Sequence, residues 1–126
     1  MSKFIAVLGV CAAMAFAFAP VTPAFAQGMG QEATIKGEVV DTACFLFMGK
    51  RGEAHKQCAE ACLKAGQDMG IYDEANDTVY FLAGEKPGVN PNGPVQNYVA
   101  KNVEAKGMVV QKAKAHGIVI KEVKPL

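Results

Sequence analysis

The chain has 126 residues, with 13 basic and 12 acidic side chains, four cysteines, no tryptophan and a formal net charge of +1. This length accommodates one ordinary domain. A nearly neutral chain lacks the basic patch of a nucleic-acid-binding protein, so we expect no nucleic acid among its partners. A hydrophobic content of 51% excludes an intrinsically disordered chain.

Residues 1–26 have the pattern of a secretory signal peptide. Lys3 supplies a positive charge, an almost wholly apolar run extends from Phe4 to Ala19, and Ala24-Phe25-Ala26 matches a peptidase site. The run is shorter than the roughly 20 residues of a membrane span, although an uncleaved anchor is the alternative. We therefore predict cleavage between Ala26 and Gln27 and a periplasmic or secreted location. The mature chain, residues 27–126, is predicted to form a single domain that is not embedded in the membrane.

The first half of the mature chain predicts a strand, a loop and a helix. Alternation from Ile35 to Asp41 indicates a strand that leads to Cys44. The apolar stretch 45–48 is predicted to be a loop that tucks its side chains under a neighbouring element. Residues 53–65 predict the one clear helix, which ends at Gly66, a residue suited to the left-handed position after a helix.

The second half predicts strands. Residues 69–72 and 78–82 are short, apolar and partly β-branched, and 84–94 must be a loop because it is rich in proline and glycine. Residues 103–109 alternate, residues 118–123 form a closing strand, and 112–117 are predicted to be a polar hairpin connection that contains His116. Short strands of this kind indicate a small, mainly β fold, either a closed barrel or a strongly curved sheet with one helix.

Four residues have the composition of a metal site: Cys44, His55, Cys58 and Cys62. Thiolate and imidazole are the ligands of Zn(II) and Cu(I). On a helix, residues three and four positions apart stand above one another, so His55, Cys58 and Cys62 are predicted to form a stripe. Cys44 supplies a ligand from the facing element, and His55 is either the fourth ligand or a group that orients a ligand.

Two other interpretations of the cysteines remain open. A disulfide from Cys44 to Cys58 or Cys62 would stabilise the domain by roughly 2–4 kcal/mol and leave a non-catalytic module that binds a protein or an oligosaccharide. Alternatively, the three cysteines exchange a disulfide in a thiol redox protein. We favour the metal site because three cysteines in an oxidising compartment leave one thiol that a disulfide does not explain.

The remaining candidate residues are weaker. Asp41 precedes Cys44 by three residues and either caps the following turn or hydrogen-bonds a ligand, the cap being favoured. Met48 and Met69 are possible copper ligands, but methionines among apolar residues usually pack in a core. We find no Ser–His–Asp arrangement and no phosphate-binding loop, so no enzyme is predicted. The expected partners are a metal ion and, if the ion is passed on, another periplasmic protein.

The motif of Cys44 followed by His55-x2-Cys58-x3-Cys62, together with 37–41, 79–82 and 117–120, resembles a largely uncharacterised group of small exported bacterial proteins. The resemblance covers nearly all of the mature chain. It implies a small five-stranded OB-like barrel with one inserted Cys/His-bearing helix at about 53–65. It supports a Cys/His site and implies no particular function.

Overall fold

The computed structural model describes residues 30–126, so the predicted signal peptide and its cleavage site lie outside the described residues. The elements follow the order strand, two helices, two strands, loop, two strands. They are β1 (Gln31–Asp41), α1 (Thr42–Met48), α2 (Lys56–Lys64), β2 (Met69–Asp73), β3 (Thr78–Leu82), β4 (Asn102–Lys112) and β5 (Ala115–Pro125). Two short 3₁₀ helices, Glu53–His55 and Gly93–Val95, precede α2 and β4.

The five strands close into a barrel in the order β1-β2-β3-β5-β4. β3 and β5 are parallel, and every other neighbouring pair is antiparallel. β1 contacts both β2 and β4, for example through Ile35 opposite Ala105, so closure leaves none of these strands as a free edge. The prediction of a small five-stranded OB-like barrel with an inserted Cys/His-bearing helix is confirmed.

The barrel interior is filled mainly by aliphatic side chains, and in the first half of β4 buried residues alternate with more exposed ones. Two glycines allow the strands to approach closely. A Cβ on Gly37 would collide with the carbonyl of Tyr72, and one on Gly107 would collide with that of Val119. The β4–β5 register shifts between Lys106 and Gly107, where the ladder contains a bulge. The buried cluster comprises Ile35, Val39, Ala59, Met69, Ile71, Val95, Val99, Val103, Ala105 and Ile118.

The β4–β5 hairpin is tighter than the sequence predicts. Lys112 pairs with Ala115, so the connection consists of Ala113 and Lys114 alone. Both residues have positive φ, 50° and 66°, as a two-residue type I′ turn requires. His116 therefore lies in β5, opposite Tyr80 of β3, and not in a polar connection. The prediction for residues 112–117 is wrong because this turn lacks the usual Asn or Gly signal.

A second prediction is wrong, because residues 45–48 belong to helix α1 and not to a buried loop. Asp41 caps its N-terminus, and Gly49 ends it in the left-handed conformation with φ 64°. The expected burial is wrong for three of the four apolar residues at 45–48, whereas Phe45 is half-buried against the Tyr72 ring. Leu46 is 55% exposed, Phe47 88% and Met48 57%. Met48 is thus a surface residue, whereas Met69 belongs to the core.

The predicted helix at 53–65 begins as the 3₁₀ turn Glu53–His55 and becomes α-helical at Lys56. It ends before Gly66, whose φ is 93°, as the sequence predicts. Ala59 lies on the inner side of α2 and is buried in the core. Between residues 30 and 126, no helix has both the length and the apolar character needed to cross a membrane.

Candidate metal centre

Cys44 occupies the first turn of α1, not the end of a strand as predicted, and Asp41 fixes its position. The Asp41 Oδ1 atom accepts hydrogen bonds from the backbone N–H of Ala43 at 2.9 Å and of Cys44 at 3.1 Å. These bonds satisfy two of the N–H groups that a helix start leaves without partners. Cys44 is buried, with only 8% of the residue exposed.

Cys58 and Cys62 project from α2 one turn apart, and they differ in exposure. Cys58 is exposed and Cys62 is half-buried. Side chains at positions i and i+4 lie one above the other, so both thiols are presented on the same side of the helix. The site therefore runs from the surface at Cys58 inward to Cys44.

His55 ends the 3₁₀ turn just before α2, so it is not part of the regular helical stripe that the spacing predicts. Its backbone N–H donates to the Gly52 carbonyl at 2.9 Å, which fixes the turn. The residue as a whole is half-buried, but its Nε2 atom is fully buried.

The ligand atoms of these residues form two overlapping groups that share Cys44. In the first, the Sγ atoms of Cys44, Cys58 and Cys62 lie within 4.8 Å of one another. In the second, a carboxylate oxygen of Asp41, the Cys44 sulfur and a His55 ring nitrogen satisfy the same limit. The structure thus brings the Cys and His groups close enough to hold a metal. His55 does not share a group with Cys58 and Cys62, although all four residues were predicted to form one site.

Two buried polar atoms of the second group have no hydrogen-bond partner among the described residues: Asp41 Oδ2 and His55 Nε2. Asp41 is only 1% exposed, so its free oxygen is out of reach of bulk solvent. An unpaired buried polar group costs about 1–3 kcal/mol, and more when it is charged. Asp41 and His55, which both lie near the Cys44 sulfur, thus each have one buried polar atom that a bound cation could satisfy.

The electrostatics keep Asp41 ionised and the neighbouring thiols protonated. Burial works to raise the pKa of Asp41, but the Cys44 backbone N–H and the nearby thiols of Cys62 and Cys44 outweigh it and hold this pKa below its ordinary value. Interaction with the Asp41 carboxylate, followed by burial, raises the pKa of Cys62 to about 12. Burial and then Asp41 raise the pKa of Cys44 as well.

These pKa directions bear on what the thiols can do. A nucleophilic cysteine needs a lowered pKa, and Cys44 and Cys62 show the reverse. A coordinated metal ion removes thiol protons outright, because its charge stabilises the thiolate far more than a neighbouring side chain can. The raised pKa values of Cys44 and Cys62 therefore do not favour thiolate attack by either side chain, and a metal bound there would have to displace their protons.

The cysteines within residues 30–126 are free thiols, with no disulfide among them. Searches against family models, curated proteins and solved structures return no match to this chain. The fold and the site define a small closed OB-like barrel whose β1–β2 connection has a cluster of cysteine, histidine and aspartate side chains able to hold a metal.

The structure gives Asp41 a larger part in the candidate site than the sequence alone suggests. The cap on α1 confirms the favoured interpretation, but the second carboxylate oxygen is buried without a hydrogen-bond partner among the described residues, and Asp41 belongs to one of the two ligand groups. The signal in the sequence is the spacing Asp41-x2-Cys44, which places a carboxylate at a helix start and a thiol in the first turn of that helix. This spacing indicates a ligand group only if His55 lies close to both residues, and the sequence alone does not give the position of His55.

Proposed function

We propose that this chain is an exported metal-binding protein, with Cys44, Cys58 and Cys62 as its sulfur ligands. The observation that carries the proposal is the approach of these three Sγ atoms to within 4.8 Å of one another from two different helices. A metal about 2.3 Å from each sulfur fits between atoms at such separations. His55 and Asp41 extend the donor set on the buried side of Cys44.

The ions that suit this site are Zn(II) and Cu(I), since thiolate and imidazole are ligands of both. Three thiolates alone favour Cu(I), whereas a set completed by nitrogen or oxygen favours Zn(II). Met69 is wholly buried and packs in the core, which explains its position without a metal, and Met48 is a surface residue. The proposal therefore rests on the cysteines and not on thioether ligands.

The proposed location is the periplasm or the exterior, reached after cleavage between Ala26 and Gln27. This compartment gives the free thiols a purpose, because a bound ion protects thiolates that would otherwise be oxidised to disulfides. A role in storage or delivery of the ion follows if the exposed Cys58 thiol is where the ion enters and leaves.

The test is to express the full chain, purify its exported form from the periplasm without a metal-binding tag, and measure metal content by mass spectrometry. The same sample is used for a thiol count before and after chelation, and its N-terminal mass locates the cleavage site. We expect at least one Zn or Cu ion per chain and three thiols that become reactive when the ion is removed. A sample with no metal and one reactive thiol would overturn the proposal and leave a disulfide-stabilised binding module.

Variants separate the site from the fold. Cys44→Ser should lose the bound ion, because Cys44 belongs to both ligand groups. The chain contains one other histidine, His116, which pairs with Tyr80 and Gln111 in the barrel and belongs to neither group. His116→Ala is therefore the control and should retain the metal content of the unaltered protein. Circular dichroism on each variant verifies that the barrel has formed.

A further inference from the structure

The donor atoms around Cys44 outnumber the ligands that one tetrahedral ion requires. Three sulfurs, one carboxylate oxygen and one ring nitrogen fall into two groups that share Cys44, and the Asp41 carboxylate of the second group also interacts with the Cys62 thiol of the first. The sulfur group opens toward the surface at Cys58, whereas the group with Asp41 and His55 is buried. The two groups therefore differ in chemistry and in exposure.

We infer that Asp41 and His55, together with Cys44, form a second coordination position that takes a borderline divalent cation such as Zn(II), while the three sulfurs take Cu(I). This inference deepens the proposed metal-binding function and rests on it. It assigns Asp41 two roles, since Oδ1 caps α1 and Oδ2 serves as an oxygen ligand.

The unpaired atoms are the first argument for this assignment. Asp41 Oδ2 and His55 Nε2 are buried, lack hydrogen-bond partners among residues 30–126, and belong to residues of one group. Oxygen and nitrogen donors suit Zn(II), which binds carboxylate oxygen at about 2.0–2.2 Å and imidazole nitrogen at about 2.0–2.1 Å. One ion at this position would satisfy both atoms at once.

Charge balance is the second argument. The Asp41 carboxylate and a Cys44 thiolate together carry two negative charges, so a divalent ion makes this buried position neutral. A monovalent ion there would leave an uncompensated negative charge away from water, which is costly. Three thiolates around Cu(I) also leave negative charge, but the exposed Cys58 side of that position is in contact with solvent.

The experiment uses the exported protein, purified from the periplasm, reduced and treated with a chelator, with Cu(I), Zn(II) and Co(II) as separate probes. Chromophoric chelators give the Cu(I) and Zn(II) affinities by competition. Co(II) reports the ligands, because the intensity of its sulfur-to-metal absorption rises with the number of bound thiolates. We expect a Co(II) spectrum typical of one thiolate with oxygen and nitrogen ligands.

Two matched variants give opposite results if the inference is right. Asp41→Asn retains an equally good helix cap but removes the anionic ligand, so it should weaken Zn(II) and Co(II) binding by about tenfold or more. It should not weaken Cu(I) binding, because the carboxylate charge that holds the nearby Cys62 thiol protonated is lost. Cys58→Ser alters an exposed side chain and should weaken Cu(I) binding by about tenfold or more, leaving the Co(II) spectrum unchanged. Thermal unfolding of both variants verifies that each is folded.

The inference is overturned unless Asp41→Asn selectively weakens Zn(II) and Co(II) binding and Cys58→Ser selectively weakens Cu(I) binding. If both variants weaken the same ion in parallel, the donors form a single site. If Asp41→Asn changes neither affinity, Oδ2 is not a ligand. These failures are distinct from failure of the proposed function, in which the unaltered protein would bind neither Cu(I) nor Zn(II).

Discussion

Replacement of Arg51 by methionine should destabilise the protein, because Arg51 neutralises a buried carboxylate. Glu38 on β1 is only 6% exposed. Its Oε2 atom accepts a hydrogen bond from Arg51 Nη1 at 3.1 Å, and its Oε1 atom accepts one from the backbone N–H of Gly52. Arg51 also pairs with Glu74 and lies 5.2 Å from the ring centroid of Tyr72.

The magnitude follows from what Arg51→Met leaves behind. Removal of one partner from a fully buried ion pair costs about 3–5 kcal/mol. Here the Arg51 side chain is 33% exposed and the Gly52 N–H continues to donate to Glu38, so we expect a loss of about 2 kcal/mol. The double variant Glu38→Gln/Arg51→Met should recover most of this loss, because it no longer buries a charge.

The assay is urea unfolding of Arg51→Met, of the double variant and of a control variant. The free energy of unfolding is analysed with the same dependence on denaturant concentration for all three. Lys124→Met is the control, since it breaks an ion pair with Glu104 at 2.8 Å whose lysine side chain is 61% exposed. Exposed pairs contribute about 0–1 kcal/mol. Loss of stability by Arg51→Met no greater than that by Lys124→Met would refute the reasoning.

Three further stability changes are expected, each measurable by thermal or urea unfolding. Asp41→Ala removes the cap on α1 and should cost about 1–2 kcal/mol, whereas Asp41→Asn should remain within about 0.5 kcal/mol; equal losses would contradict a capping role. Gly37→Ala forces a Cβ against the Tyr72 carbonyl and should cost about 1–3 kcal/mol, so a neutral result would show that β1 and β2 can separate. Ala113→Asn with Lys114→Gly places suitable residues at two positive-φ positions and should stabilise the hairpin by about 1 kcal/mol or more; no gain would argue against this turn.

Much of the barrel is predictable because strand periodicity is local. The alternation around Ile35 and the β-branched run at 78–82 indicate strands without reference to the rest of the chain. The parallel contact of β3 with β5 and the closure of β1 on β4 join residues far apart in sequence, so spacing alone does not reveal them. The barrel prediction therefore depends on closure as a general solution for strand edges and on resemblance.

The residues of the candidate site could be predicted from the sequence, but their division into two ligand groups could not. The cysteines and His55 stand out by residue type and spacing, and each proves to be near Cys44. Their division into two groups depends on how α1 lies against α2, and α1 itself was missed. A seven-residue helix with three exposed apolar side chains has too little periodicity to be recognised, and its signal is limited to Asp41 at the start and Gly49 at the end.

The residues of the candidate site are close together in sequence, whereas the barrel joins residues that are far apart, and this difference has a consequence for folding. All five donor residues lie between Asp41 and Cys62, whereas the barrel requires contacts such as Ile35 with Ala105. Contacts between distant residues form slowly because a long loop must close first. The donor segment is short enough to wrap around an ion before the strands have assembled. Binding to the unfolded chain reduces the stabilisation that a ligand confers, so the ion should raise the unfolding temperature by less than its affinity for the native protein implies.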